Sequence, residues 1–220
     1  MLKKNEVAYF TFGRFQPPTI GHGLLINSVA NAAIAGKGDA FIFVSSTINK
    51  LNKPPPPSGV ESKEGFKNPL DVYTKIEVLR KMYPKGVQFV NTIENKCNSP
   101  FAAVGLLASM GYTHVHFLVG GDRASEFGKS FKKSEFVTVE SVGARNENNN
   151  SETAGNNIKG MSGTKMRRAA AARNSSTFKK GVLTNTFNER NAEELLVKVR
   201  SGMGLATGGR YTRRSRRPLG

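Results

Sequence analysis

Two short, almost unbroken apolar runs, Val7-Ala-Tyr-Phe-Thr-Phe12 and Ala40-Phe-Ile-Phe-Val-Ser45, flank a stretch from Leu24 to Ile34 whose apolar residues recur at helical spacing. A strand with one wet face alternates apolar and polar side chains, whereas near-continuous apolar strands belong to parallel sheets covered on both faces. Parallel neighbours cannot be joined by a tight turn and need a crossover, for which one helix suffices. The chain therefore begins strand, helix, strand.

The same alternation continues. A helix is predicted from about Asn68-Pro69 to Tyr83, with Leu70, Tyr73, Ile76, Leu79 and Arg80 at three-to-four spacing, and Pro84 and Gly86 stop it. Val87 to Val90 reads as a strand, Pro100 to Met110 as a helix closed by Gly111, Thr113 to Val119 as a fourth strand and Phe136 to Glu140 as a fifth. Ser162 is a candidate cap for a helix to about Arg173, and Asn191 to Arg200 is a last helix. This order predicts an α/β fold, a doubly wound five-stranded parallel sheet with helices on both faces. Ser46 to Lys67, with Pro54-Pro-Pro-Pro57, reads as an exposed loop, and the Asn/Glu/Gly-rich stretch Ala144 to Lys159 as a mobile one. The organisation expected is an α/β domain over 1–183, a helical extension over 184–207 and an Arg-rich tail over 208–220.

In such sheets ligands bind beyond the carboxyl ends of the strands, where strand order reverses. The loops after the first and fourth strands, Gly13 to His22 and Gly120 to Arg123, are the places to look. The first of these, Gly13-Arg-Phe-Gln-Pro-Pro-Thr-Ile-Gly-His22, joins a strand to a helix, so backbone N–H groups and the positive helix end make an anion site. Gly21 admits close approach of a phosphate, and the ring of His22 can donate to one. Taken alone, His22 also fits, less well, a helix-start histidine that meets no ligand. Asp122 and Arg123 read either as site residues or as a salt-bridged loop pair. Gly128-Lys129-Ser130 lacks the glycine spacing of a P-loop and reads, with Lys132 and Lys133, as a basic face.

Several classes are excluded by the rest of the sequence. The single cysteine, Cys97, cannot close an internal disulfide, and the three histidines, at 22, 114 and 116, have no zinc-ligand spacing. There is no apolar run of roughly 20 residues and no signal-like start, so a cytoplasmic protein is expected. Of the formal net charge of +17, residues 159–220 hold +12, and five arginines fall between Arg210 and Arg217. A tail of this kind attracts nucleic acid without sequence preference, and it is also what a solvated tail with no dedicated partner looks like.

Gly-Arg-Phe-Gln-Pro-Pro-Thr-Ile-Gly-His resembles the T/HxGH signature of the nucleotidyltransferase superfamily, and Met161-Ser-Gly-Thr-Lys-Met-Arg167 resembles its ISxTxxR signature. The Arg-containing form is closest to archaeal-type nicotinamide-mononucleotide adenylyltransferases and related bacteriophage cytidylyltransferase-like enzymes. The resemblance implies a Rossmann-like fold and transfer of a nucleotidyl group, adenylyl before cytidylyl, from ATP or CTP with Mg²⁺ to a phosphate-bearing acceptor such as nicotinamide mononucleotide, with release of pyrophosphate. It implies that Thr19 and His22 meet the phosphate chain, His22 at the α-phosphate, with Arg14 as a further clamp. Ser162, Gly163 and Thr164 would supply hydroxyls and helix-start amides, and Arg167 a planar fork of donors for the β/γ end. Gly13, Phe15, Gly21, Asp122 and Arg123 complete the expected binding surface, a homo-oligomer is allowed, and no protein ligand to the metal is assigned. The chain has no Trp, so Phe15, Phe127 or Tyr112 would have to stack on a nicotinamide. The alternative is the same fold used as a nucleic-acid-binding or virion-associated protein.

Overall fold

The computed structural model describes residues 6–48, 67–83, 85–143 and 161–205. The proline run at 54–57, the whole stretch 144–159 and the arginines at 210–217 lie outside them. Five strands, β1 (Val7–Gly13), β2 (Asp39–Val44), β3 (Gln88–Asn91), β4 (His114–Gly120) and β5 (Val137–Val142), form one sheet in the order β3-β2-β1-β4-β5, every pair parallel. The expected doubly wound sheet is what the chain forms. It runs outward from β1 to β3, returns to place β4 on the other side of β1, and ends at β5. Strand order therefore reverses between β1 and β4.

Alternate residues of β1 serve the two faces. Ala8 and Phe10 join Phe43, Val115 and Phe117 under α3 (Pro100–Ser109) and α4 (Gly121–Phe131), which contribute Ala103, Leu107, Phe127 and Phe131. Tyr9 joins Ile42 and Leu118 under α1 (Ile20–Ala35) and α2 (Val72–Met82), through Ile26, Val29, Ile76 and Leu79. A third apolar cluster lies beside the sheet rather than on it. There α5 (Gly163–Ala171), α6 (Ser175–Val182) and α7 (Glu189–Gly202) pack Met166, Phe178, Leu195 and Val199 against Leu70, Val78 and Met82. Arg200 of α7 is buried and donates to the carbonyls of Ala170 and Ala171, the open C-terminal end of α5.

Three elements differ from the sequence expectation. The helix expected from residue 68 begins at Val72, because Asp71 caps it by accepting from the Thr74 N–H at 2.8 Å. Its buried face is then Val72, Lys75, Ile76, Val78, Leu79 and Met82, and Tyr73 stands 57% exposed. The stretch after β4 is no loop: α4 begins at once, anchored by Phe127 and Phe131 one turn apart. Helix α6 was likewise unmarked, since its eight residues carry little besides Phe178 and Val182. None of the helices in the described residues is long and apolar enough to cross a membrane.

Candidate active site

The carboxyl ends of β1 and β2 finish level, Gly13 opposite Val44. From Gly13 the chain makes a contorted passage to α1. Phe15 holds a left-handed φ of 47°, a strained value for a bulky residue, and the peptide between Gln16 and Pro17 is cis. A bulky residue in the left-handed region persists only where its surroundings over-determine it. Gln16 supplies that restraint: 4% exposed, its side-chain amide donates to the Leu70 and Thr47 carbonyls at 2.7 and 3.1 Å and accepts from the Leu70 N–H at 3.0 Å. Substitution of Gln16 by Leu leaves the two buried backbone groups of Leu70 unpaired, while the exposed Thr47 carbonyl can turn to water, and should lower stability by roughly 3 kcal/mol. A fall in the urea midpoint at unchanged slope is the expected reading.

Phe15 is buried with its ring over Gly13, where a Cβ would lie 2.6 Å from the ring, and meets the His22 ring edge-on at 5.0 Å. Thr19 is the N-cap of α1, so His22 sits in the first turn. The backbone N–H of Thr19 donates to His22 Nδ1 at 3.1 Å, and the Thr19 hydroxyl, 2.9 Å from that nitrogen, donates to the Met161 carbonyl at 2.9 Å. With Nδ1 accepting, the ring proton resides on Nε2. Tyr83 also reaches this turn, its hydroxyl donating to the Thr19 carbonyl at 3.1 Å, and burial pushes its phenol well above the usual range.

The two motif segments, 142 residues apart, meet at backbone level. A Cβ on Gly21 would stand 2.4 Å from the Met161 carbonyl oxygen, and one on Gly163 would stand 2.5 Å from the Gln16 carbonyl oxygen. Each crossing thus passes over a glycine because no larger residue fits. Arg167 locks the second one, donating from Nη1 to the Gln16 carbonyl at 2.5 Å and from Nη2 to Thr164 Oγ1 at 3.1 Å. Ser162 caps α5, its hydroxyl accepting from the Lys165 N–H at 3.2 Å. The N-terminal ends of α1 and α5 consequently lie side by side.

The electrostatics are one-sided. Burial first, then the positive charges of Arg14 and Arg168, lower the Arg167 guanidinium from its ordinary value. Lys75, in the first turn of α2, is wholly buried and donates to the carbonyls of Arg14, at 3.1 Å, and of Ser45. Burial brings it down to about 8, opposed by Asp71 and helped, less strongly, by Arg14. Crowded cations with few counter-charges mark a place where an anion would relieve repulsion.

The remaining sequence candidates are farther apart. Asp122 and Arg123 lie exposed in the first turn of α4, beyond β4. Arg123 pairs with Glu126 at 3.3 Å and lies 4.8 Å over Phe127. Tyr112 donates to Asp39 at 2.8 Å, at the amino end of β2 and so at the opposite end of the sheet from the glycine crossings. His114 contacts Thr138 at 2.9 Å, and His116 pairs with Glu140 and stacks on Tyr9. Sequence reading missed Gln16, Lys75 and Tyr83. Only Lys75 carried a signal, a lone cation inside the apolar stripe of α2.

No family model and no curated protein matches the chain. Among solved structures, one from Vibrio parahaemolyticus assigned as a nicotinate-nucleotide adenylyltransferase superposes with a TM-score of 0.55 at 14% identity, covering 87% of this chain and 99% of that one. At this identity the likeness speaks for architecture. The chain thus has the Rossmann-like α/β fold of that adenylyltransferase-like structure.

Proposed function

We propose that the chain is a nucleotidyltransferase that passes the nucleotidyl group of ATP, or of CTP, to a phosphate-bearing acceptor of the mononucleotide class, nicotinamide or nicotinate mononucleotide first among them. The observation that supports this reading is the double crossing at Gly21 and Gly163, which brings the first turns of α1 and α5 together, with Arg14 near enough to Arg167 for their like charges to be felt. The fold likeness to an adenylyltransferase supports it.

An acceptor phosphate oxygen attacks the α-phosphorus, the bond from that phosphorus to the α–β bridging oxygen breaks, and pyrophosphate departs with the electron pair. This chemistry asks for alignment and charge stabilisation, without a covalent nucleophile. The His22 Nε2–H donates to the α-phosphate. Arg14 and Arg167 hold the departing end, with the amides and hydroxyls of Ser162, Gly163 and Thr164. Gly13, Phe15 and Gly21 shape the loop, Phe15 by holding the imidazole, while the reading gives Asp122 and Arg123, exposed just beyond the carboxyl end of β4, a substrate contact from across the strand-order reversal. Among the described residues no three acidic, His or Cys side chains gather into a cage, and the groups around the crossings are hydroxyls, amides and cations. Such a donor set fits Mg²⁺ carried in by the triphosphate oxygens and its own waters, where it neutralises phosphate charge.

The test is pyrophosphate release from ATP and CTP with Mg²⁺ across a panel of nicotinamide and nicotinate mononucleotides, FMN, phosphopantetheine, glycerol 3-phosphate and sugar phosphates. Release with a mononucleotide acceptor is expected. Silence across the whole panel would sink the transferase reading and favour a fold that binds without turnover.

A further inference from the structure

Lys75 is expensive where it stands. Its ammonium is fully buried, it occupies the first turn of α2, where the helix dipole repels a cation, and Arg14 adds a like charge. The charged groups that face it are Asp71 on the segment leading into α2 and Arg14 on the β1 loop; the end of β2 presents the Ser45 and Thr47 hydroxyls, which bond each other at 2.9 Å. Among the described residues no carboxylate forms an ion pair with it. A neutral amide could serve the same two carbonyls at lower desolvation cost, so hydrogen bonding alone does not account for a charged side chain here. The place of those carbonyls suggests what does. Both acceptors, the Arg14 and Ser45 carbonyls, belong to the residues that immediately follow β1 and β2. Strand-end carbonyls turn partial negative charge toward the carboxyl edge of a parallel sheet, which is where the nucleotide is proposed to lie.

We propose that Lys75 is a positioning residue of the phosphate site, binding the two strand-end carbonyls away from the triphosphate and leaving its own charge to be balanced by that triphosphate. The inference rests on the transferase reading for the location of the phosphates. Triphosphate binding then draws the lysine toward its charged form. Free protein loses that charge as pH rises through about 8, so binding above this pH must take up a proton, and affinity must fall by up to about tenfold per pH unit. The nucleotide γ-phosphate titrates at lower pH and leaves this window clear.

The experiment is calorimetric titration of the full chain with MgATP, and separately MgCTP, without acceptor, from pH 7 to 9.5 in buffers of different ionisation heat. Wild-type protein is expected to take up close to one proton at about pH 9 and above and to lose affinity along the slope given. Lys75→Met is expected to bind at least about tenfold more weakly at pH 7, with no slope and no uptake, and Lys75→Arg to restore affinity and hold it to pH 9.5. A Met variant that binds within about threefold of wild type with the same slope overturns the proposal. If that variant does not fold, the wild-type titration decides alone, and a flat affinity without proton uptake overturns it. Wild-type protein that binds neither nucleotide at pH 7 instead removes the transferase reading, and this inference with it.

Discussion

Replacing His22 by Ala is expected to lower kcat by roughly 10²- to 10³-fold while the dissociation constant for ATP moves by no more than a few-fold. The asymmetry follows from how the ring is held. The Thr19 N–H fixes Nδ1 as an acceptor, and the Phe15 ring closes one side of the imidazole. On the proposed function the Nε2 proton would meet the α-phosphate, and it would gain most when charge on the phosphate oxygens grows in the transition state. Ground-state binding, by contrast, would on the same proposal be spread over Arg14, Arg167 and two helix ends. Single-turnover rates set beside equilibrium binding separate the two effects. A loss confined to affinity would transfer the ring from catalysis to simple binding.

Gly21→Ala is expected to damage both stability and turnover. The new methyl would have to occupy a position 2.4 Å from the Met161 carbonyl oxygen, a backbone atom that cannot rotate away. The first turn of α1 and the segment entering α5 must part, and the 2.9 Å bond from Thr19 to Met161 goes with them. Overpacking on this scale costs about 1 to 3 kcal/mol. A displacement of about 1 Å between the two halves of an aligned site costs on the order of 10² in rate. Gly128 in α4, where a Cβ meets nothing within 4 Å, is the control. Gly128→Ala should raise stability by about 0.5 to 1 kcal/mol and leave turnover alone. Equal stability changes at the two positions, read from denaturant midpoints, would show that the crossing tolerates a side chain.

The strands were the legible part of the sequence, because a strand covered on both faces announces itself by an unbroken apolar run, as in Ala40 to Val44. Helix α4 hid because its anchoring depends on two phenylalanines among polar residues and glycines. The face of α2 was misjudged at Tyr73 because the apolar spacing tolerates a shift of one position, and only the Asp71 cap fixes where the helix begins. The site divides in the same way. Thr19 and His22 sit in a recognisable pattern at a strand-to-helix junction, and Ser162 and Arg167 in one that opens a helix. What the patterns could not reveal is tertiary: that the backbone beside Gly21 receives the Met161 carbonyl, that the Gln16 amide serves Leu70, and that Lys75 reaches two strand ends. Each of these pairs residues at least 30 apart in the chain, and nothing local in either partner signals the other.

The distance between the two crossing segments sets an order of events at the ribosome. At about 5 to 20 residues per second, the 142 residues from Thr19 to Met161 take roughly 7 to 28 seconds to be made. The first loop, with its bent aromatic and its glycines, emerges early and waits through that interval with no carbonyl to receive the Thr19 hydroxyl. A nascent chain arrested before Met161 would hold most of the sheet and yet lack the closure that aligns the two helix ends.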